Sequence, residues 1–285
     1  MATFPDRALA WVNGALTAAF DAALGPLMGW PPVASLLVVS LVTAVVMLLV
    51  VARTSNQKGL ATTKRGIHAA LFEIRLFGDD PVNVLRALGE VVMCNAHYLR
   101  LSLVPLLWMA IPLVLVVAQL QGFYGYEGLT PGVPAIVKVE LRQTASSADV
   151  SADALVMDAP DGIRIDTAAV RLLGSNEVLW RIVPNAEGTY ALTIRDGDRA
   201  VTKSLQVSAS RARRSPRRLQ AGLAGQVLYP SEPLVPEESR IAAITVMYPE
   251  PGLEVLGWRA HWMIVYGLLS MACALILARR FGVTI

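Results

Sequence analysis

Charge is scarce in this sequence and absent from long parts of it. Only 16% of its 285 residues are Asp, Glu, Lys or Arg, against 54% hydrophobic, and mean hydropathy is +0.51. A soluble domain carries about 25% charged residues, so a wholly soluble or disordered chain is excluded. Cysteine is scarcer still. Cys94 and Cys273 are the whole complement and lie in different segments, which excludes a disulfide framework. The three histidines, His68, His97 and His261, share no ligand spacing with one another or with a cysteine pair, so no metal site is expected. No nucleophile stands with a base and an orienting group, so the chain is not expected to be an enzyme and no cofactor is implied. The first 30 residues lack the basic start and clean apolar stretch of a cleavable signal peptide.

What the chain has instead is uncharged apolar runs. Val33 to Ala52, Leu103 to Leu120 and Trp262 to Ala278 hold no Asp, Glu, Lys or Arg. Each is close to the roughly 20 helical residues that cross about 30 Å of hydrocarbon. Lipid offers the backbone no partner, so each is expected to be a transmembrane helix, within 33–52, 103–121 and 258–280. Arg53, Lys58, Lys64, Arg65, Arg75, Arg86 and Arg100 crowd segment 53–102, while Arg7 alone precedes the first span and Arg279 and Arg280 close the third. The positive-inside rule then puts 53–102 and the tail 281–285 in the cytoplasm, and the N-terminus and 122–257 outside.

Periodicity assigns the rest. In 1–32, Leu9, Val12, Leu16, Phe20, Ala23, Leu24 and Leu27 recur at helical spacing, the pattern of an amphipathic helix lying in the outer interface. Pro31 and Pro32 end it before the first span. Segment 53–102 predicts a helical hairpin. Thr62 or Thr63 opens its first helix, Phe77-Gly78-Asp79-Asp80-Pro81 turns, and Asp80 caps the second. Leu71, Ile74, Leu85, Leu88 and Val92 lie on its apolar contact face, to be buried against each other, the membrane surface or a partner.

Between residues 135 and 208 the period changes to two. Ile136 to Arg142, Gly162 to Asp166 and Glu177 to Val183 read as strands. Tyr190 to Arg195 and Ala200 to Val207 flank Asp196-Gly197-Asp198 as a hairpin. Ile241 to Tyr248 adds a further strand, and the whole suggests an all-β, sandwich-like domain inserted before the third span. Arg211, Arg213, Arg214, Arg217 and Arg218 form a basic cluster in a linker, 209–220. It is expected either to be solvated or to meet anionic lipid headgroups or an acidic partner; nucleic acid is not an expected partner.

The order of parts resembles the YidC/Oxa family of membrane protein insertases. The matching pieces are Gly29-Trp30 before the first span, the hairpin turn Arg75-Leu76-Phe77-Gly78-Asp79-Asp80, and the run Val104-Pro105-Leu106-Leu107-Trp108-Met109-Ala110-Ile111-Pro112 that opens the second span. Three spans are similar to the small members of that superfamily. The resemblance implies an insertase or membrane chaperone of the bacterial inner membrane with a periplasmic β-domain. Its partners would be lipids, client membrane proteins and ribosomes or nascent chains. The family usually places an arginine in its first core span, facing a hydrophilic groove; here that position falls near Thr43 in an uncharged helix. Ser40, Thr43, Gln119 and Ser270 are the polar candidates for such a groove. The other reading is a structural subunit of an envelope complex, docking through its β-domain.

Overall fold

A computed structural model describes residues 4–76, 80–142, 155–172, 174–220, 223–255 and 257–281. Residues 77–79 of the expected hairpin turn and 282–285 of the expected tail lie outside them. The uncharged runs are helical, since a helix satisfies its own backbone without water. Three helices are long and apolar enough to cross a membrane: α2 (Pro32–Thr54), residues Val82–Tyr124 of α4 (Pro81–Tyr124), and Trp262–Phe281, which comprises α6 (Trp262–Ala278) and a closing 3-10 turn. Two further helices accompany them, α1 (Phe4–Leu24) and α3 (Gln57–Leu76); a short α5 (Leu223–Leu228) lies within the β region. Contacts divide the chain into two compact units: Met1–Ser35 with Leu115–Trp262, and Leu36–Val114 with Met263–Ile285.

Three boundaries differ from the sequence reading. The second helix of the 53–102 hairpin, expected to run on toward the 103–121 span with Pro105 and Pro112 interrupting it, is uninterrupted: one 44-residue helix holds both prolines. At 1.5 Å per residue α4 is about 66 Å long, twice the hydrocarbon thickness. A proline removes one backbone bond, which an apolar membrane helix tolerates where neighbours satisfy the freed carbonyl. Second, α3 begins at Gln57, so Thr62 and Thr63 do not open it. Asn56 caps it instead, its Oδ1 accepting the Gly59 N–H at 3.0 Å. The two threonine hydroxyls donate back to the Lys58 and Gly59 carbonyls, each at 2.9 Å. Asp80 does cap α4, accepting the Val82 N–H at 3.0 Å. Third, α6 starts only at Trp262, because Trp258–Ala260 (β11) pairs with Leu253–Val255 (β10).

The β region has two further sheets. Ala135–Leu141 (β1), Ile163–Ile165 (β3), Val170–Leu172 (β4), Glu177–Pro184 (β5), Arg217–Leu219 (β8) and Ile241–Val246 (β9) form an antiparallel sheet ordered β3-β5-β1-β9-β8, with β4 also on β5. Leu155–Asp158 (β2), Gly188–Asp196 (β6) and Arg199–Val207 (β7) form the other. Alternate residues of both sheets share one core, including Val137 and Val139 of β1, Trp180 and Ile182 of β5, and Leu192 and Leu205 of the β6–β7 hairpin. In that core Tyr248 accepts the Gln206 N–H at 3.0 Å, and burial pushes its hydroxyl up to about 12. Gly197 turns the hairpin: β6 and β7 close on Gly197 and Asp198, and the glycine's φ of +62° at the first central position is the type II′ requirement.

Candidate functional site

The helical hairpin within the second unit, α3 with the first part of α4, carries a run of uncovered apolar side chains. Its two helices meet along a seam of apolar and small residues. Leu60, Thr63 and Ala70 of α3 and Ala87 of α4 are buried, with Ile67, Ile74, Val84, Val91 and Cys94 half-buried at the same helical spacing. The seam is tight: a Cβ on Gly66 would stand 3.3 Å from Cys94 Sγ, and one on Gly59 would stand 3.2 Å from Leu101 Cδ1. Of the expected contact face only Ile74 joins this seam. Leu71, Leu85, Leu88 and Val92 point out of it, 48%, 71%, 50% and 63% exposed, joined by Phe72, Val82 and Met93. The reason is geometric. Alanine, glycine and half-buried side chains line one narrow stripe of contact, which leaves the larger side chains a second stripe with no helix opposite among the described residues.

The four polar groove candidates divide. Ser40 and Thr43 of α2 are buried, at 0% and 5% exposure, and gather with Ser270 around Tyr266 of α6. Ser40 Oγ donates to the Tyr266 carbonyl in a long bond of 3.4 Å. These side chains join two apolar helices by polar contact, the usual use of hydroxyls between membrane helices. Gln119 is engaged elsewhere. Its Nε2 donates to Thr17 Oγ1 at 3.3 Å and its Oε1 accepts Arg213 Nη1 at 2.8 Å.

The basic cluster is not a solvated loop. Arg213 donates to Asp21 at 2.6 Å and lies 4.5 Å over the Phe123 ring. Arg217 donates to Glu140 at 2.7 Å, and Arg218 donates to the carbonyls of Thr202, Pro233 and Leu234. Arg214 is 2% exposed and bonded to backbone carbonyls, while Arg211 reaches Met28, Trp30 and Ser35. The expected linker 209–220 also holds β8, an edge strand on β9. An arginine fork satisfies several carbonyls at once, so these side chains clamp segments that carry no regular ladder of their own. The N-terminal helix answers the same need. Asn13, Thr17 and Asp21 recur at every fourth residue of α1; Asn13 donates to the Gln226 carbonyl at 2.8 Å, while Thr17 and Asp21 take Gln119 and Arg213. Trp11 and Val12 stay exposed.

Sequence reasoning did not pick out the buried pair of Lys203 and Glu232. Lys203 is fully buried, and its Nζ donates to Glu232 Oε2 at 2.5 Å and to the Ser215 carbonyl at 2.6 Å. The signal was present in the alternation of β7, where Val201, Leu205 and Val207 face inward and Lys203 falls in phase with them. Among the described residues no group of three or more His, Cys, Asp or Glu gathers to hold a metal ion. Cys94 and Cys273 are both free thiols. The sequence matches no protein-family model, and no curated protein or solved structure matches it either.

Proposed function

We propose that the chain is a membrane protein insertase or chaperone of the YidC/Oxa type whose working surface is the uncovered apolar stripe of the hairpin. The observation that carries this reading is the division within the hairpin: one stripe of each helix is buried or half-buried, yet Leu71, Leu85, Leu88 and Val92 remain out of it. A run of large apolar side chains with no internal partner suits apolar segments of other proteins or lipid. No charge is needed in such a surface, so the reading stands without an arginine in α2. On this reading the hairpin is cytoplasmic, the N-terminus and β region lie outside, and the membrane is the bacterial inner membrane.

The second reading, a structural subunit of an envelope complex, is favoured by the contact of Ser40 and Thr43 with Tyr266, which buries both side chains against α6. Reconstitution separates the two. Full-length protein in vesicles should raise insertion of a single-span substrate, read by protease protection, above that of protein-free vesicles. Leu88→Glu lies on the exposed stripe and should fold, yet lower insertion about tenfold, because a carboxylate would have to be desolvated against each client. Insertion no better than in protein-free vesicles, with folded protein present, sinks the insertase reading.

A further inference from the structure

Arg211, Arg214 and Arg218 differ from Arg213 and Arg217 in having no carboxylate within ion-pair distance among the described residues, and the first two lie together. Arg211 donates only to neutral groups: the Met28 carbonyl at 3.1 Å, the Trp30 carbonyl, and Ser35 Oγ at 3.4 Å. Arg214 spends Nη1 and Nη2 on the carbonyls of Tyr126, Ala212, Ser208 and Ser210, at 2.5 to 3.4 Å. Its Nε is buried and has no acceptor. Burial pulls the Arg214 guanidinium below its ordinary range and outweighs the Glu127 carboxylate, as expected of a buried cation with no anion in direct contact.

Both arginines line one pocket of about 340 Å³. Its remaining walls include Pro32, Phe123, Tyr124 and Leu253, with Glu127 exposed at the rim. Two guanidinium groups against one carboxylate leave the pocket net positive. Pro32 opens α2 and Tyr124 closes α4, so the pocket lies where two helices long enough to cross a membrane end. Phosphate groups of a bilayer sit at that level, and aromatic side chains collect there.

We infer that this pocket binds an anionic phosphate group through Arg211 and Arg214, with apolar walls for the glycerol or acyl portion of a phospholipid. Free phosphate carries the same chemistry and would use the same donors.

The test uses the full chain, purified and placed in nanodiscs of phosphatidylcholine alone or mixed with phosphatidylglycerol, with retained lipids counted by native mass spectrometry. Inorganic phosphate is titrated separately by calorimetry. The protein should retain phosphatidylglycerol in preference to phosphatidylcholine. Arg211→Gln should weaken that retention about tenfold or more, the loss of one charge-assisted hydrogen bond. Arg195→Gln, at an exposed arginine paired with Asp158, should leave it unchanged. Glu127→Gln removes the rim carboxylate and should tighten retention about twofold or more; this gain cannot come from misfolding. Phosphate binding with the same dependence on Arg211 assigns the site to free phosphate, and its absence beside lipid retention assigns the headgroup. The inference is overturned if neither anion binds, if Arg211→Gln and Arg195→Gln act alike, or if folded Glu127→Gln shows no gain.

Discussion

Breaking the pair of Lys203 and Glu232 should destabilise the β region by an amount set by what each survivor is left with. In Lys203→Met the carboxylate keeps the Ser204 N–H at 2.8 Å, the Ser204 hydroxyl, and the Ser215 hydroxyl at 2.8 Å. In Glu232→Ala the ammonium, fully buried, keeps only the carbonyls of Ser215 and Ser204. Neutralisation caps both losses. From ordinary values of 4.5 and 10.5, protonating the stranded Glu at pH 7 costs about 3.4 kcal/mol and deprotonating the stranded Lys about 4.8 kcal/mol. Lys203→Met should therefore cost about 2–3 kcal/mol and Glu232→Ala about 3–5 kcal/mol, within the range for broken buried pairs. The double variant Lys203→Met with Glu232→Met should cost less than the two single losses combined. Urea unfolding of the full chain in detergent, followed by fluorescence of the buried Trp180, reads the order. Single losses below about 1 kcal/mol, or a double loss equal to the sum, refute the reasoning.

The pair also sets the pH response. Burial pushes the Glu232 carboxyl up, but the Lys203 ammonium and the Ser204 donors outweigh it and hold the group below the usual carboxylate range. A carboxyl depressed in the folded state contributes stability at neutral pH that is lost as pH falls through its folded value. Burial lowers the Lys203 ammonium, so stability also rises with pH from its folded value toward 10.5. Both groups act in one direction: the wild type should weaken on acidification. In Lys203→Met the stranded Glu232 is relieved by protonation, so its deficit against the wild type should shrink as pH falls.

Thr43→Arg should abolish accumulation in the membrane, because the side chain is 5% exposed against Tyr266, whereas Thr43→Val should accumulate normally; immunoblots of membrane fractions compare them. Gly162→Ala should cost about 1–3 kcal/mol in the same urea assay, since the residue has a φ of +100° and its Cβ would lie 2.8 Å from the Tyr190 hydroxyl oxygen. Equal stability would show that the turn relaxes. In a cysteine-free background, a membrane-impermeant maleimide should label a cysteine at exposed Ser210 and spare one at exposed Asn56. The reverse pattern inverts the proposed orientation.

Each kind of element that was legible in the sequence answers to a local rule. The three helices long and apolar enough to cross a membrane follow from length and missing charge, since lipid judges each segment by itself. Asp80 as a cap and β1, β5 and the β6–β7 hairpin follow from spacing over a few residues. The hairpin periodicity correctly marked helices in 53–102, but it could not say which of two apolar stripes would close. Leu88 and Ala87 are neighbours in sequence, and only packing decided that Ala87 is buried and Leu88 left out. The three-residue strands β4, β8, β10 and β11, unlike the equally short β3, are not read from an alternating run, and their bonds come from a partner strand. The arginine cluster shows the same limit most clearly. Five cations within eight residues look like a surface, yet the carboxylate for Arg213 comes from α1, 192 residues away, and that for Arg217 from β1, 77 residues away. Whether a charge is solvated or buried depends on what the fold brings opposite it, and that information lies in the long-range contacts rather than in the charge itself.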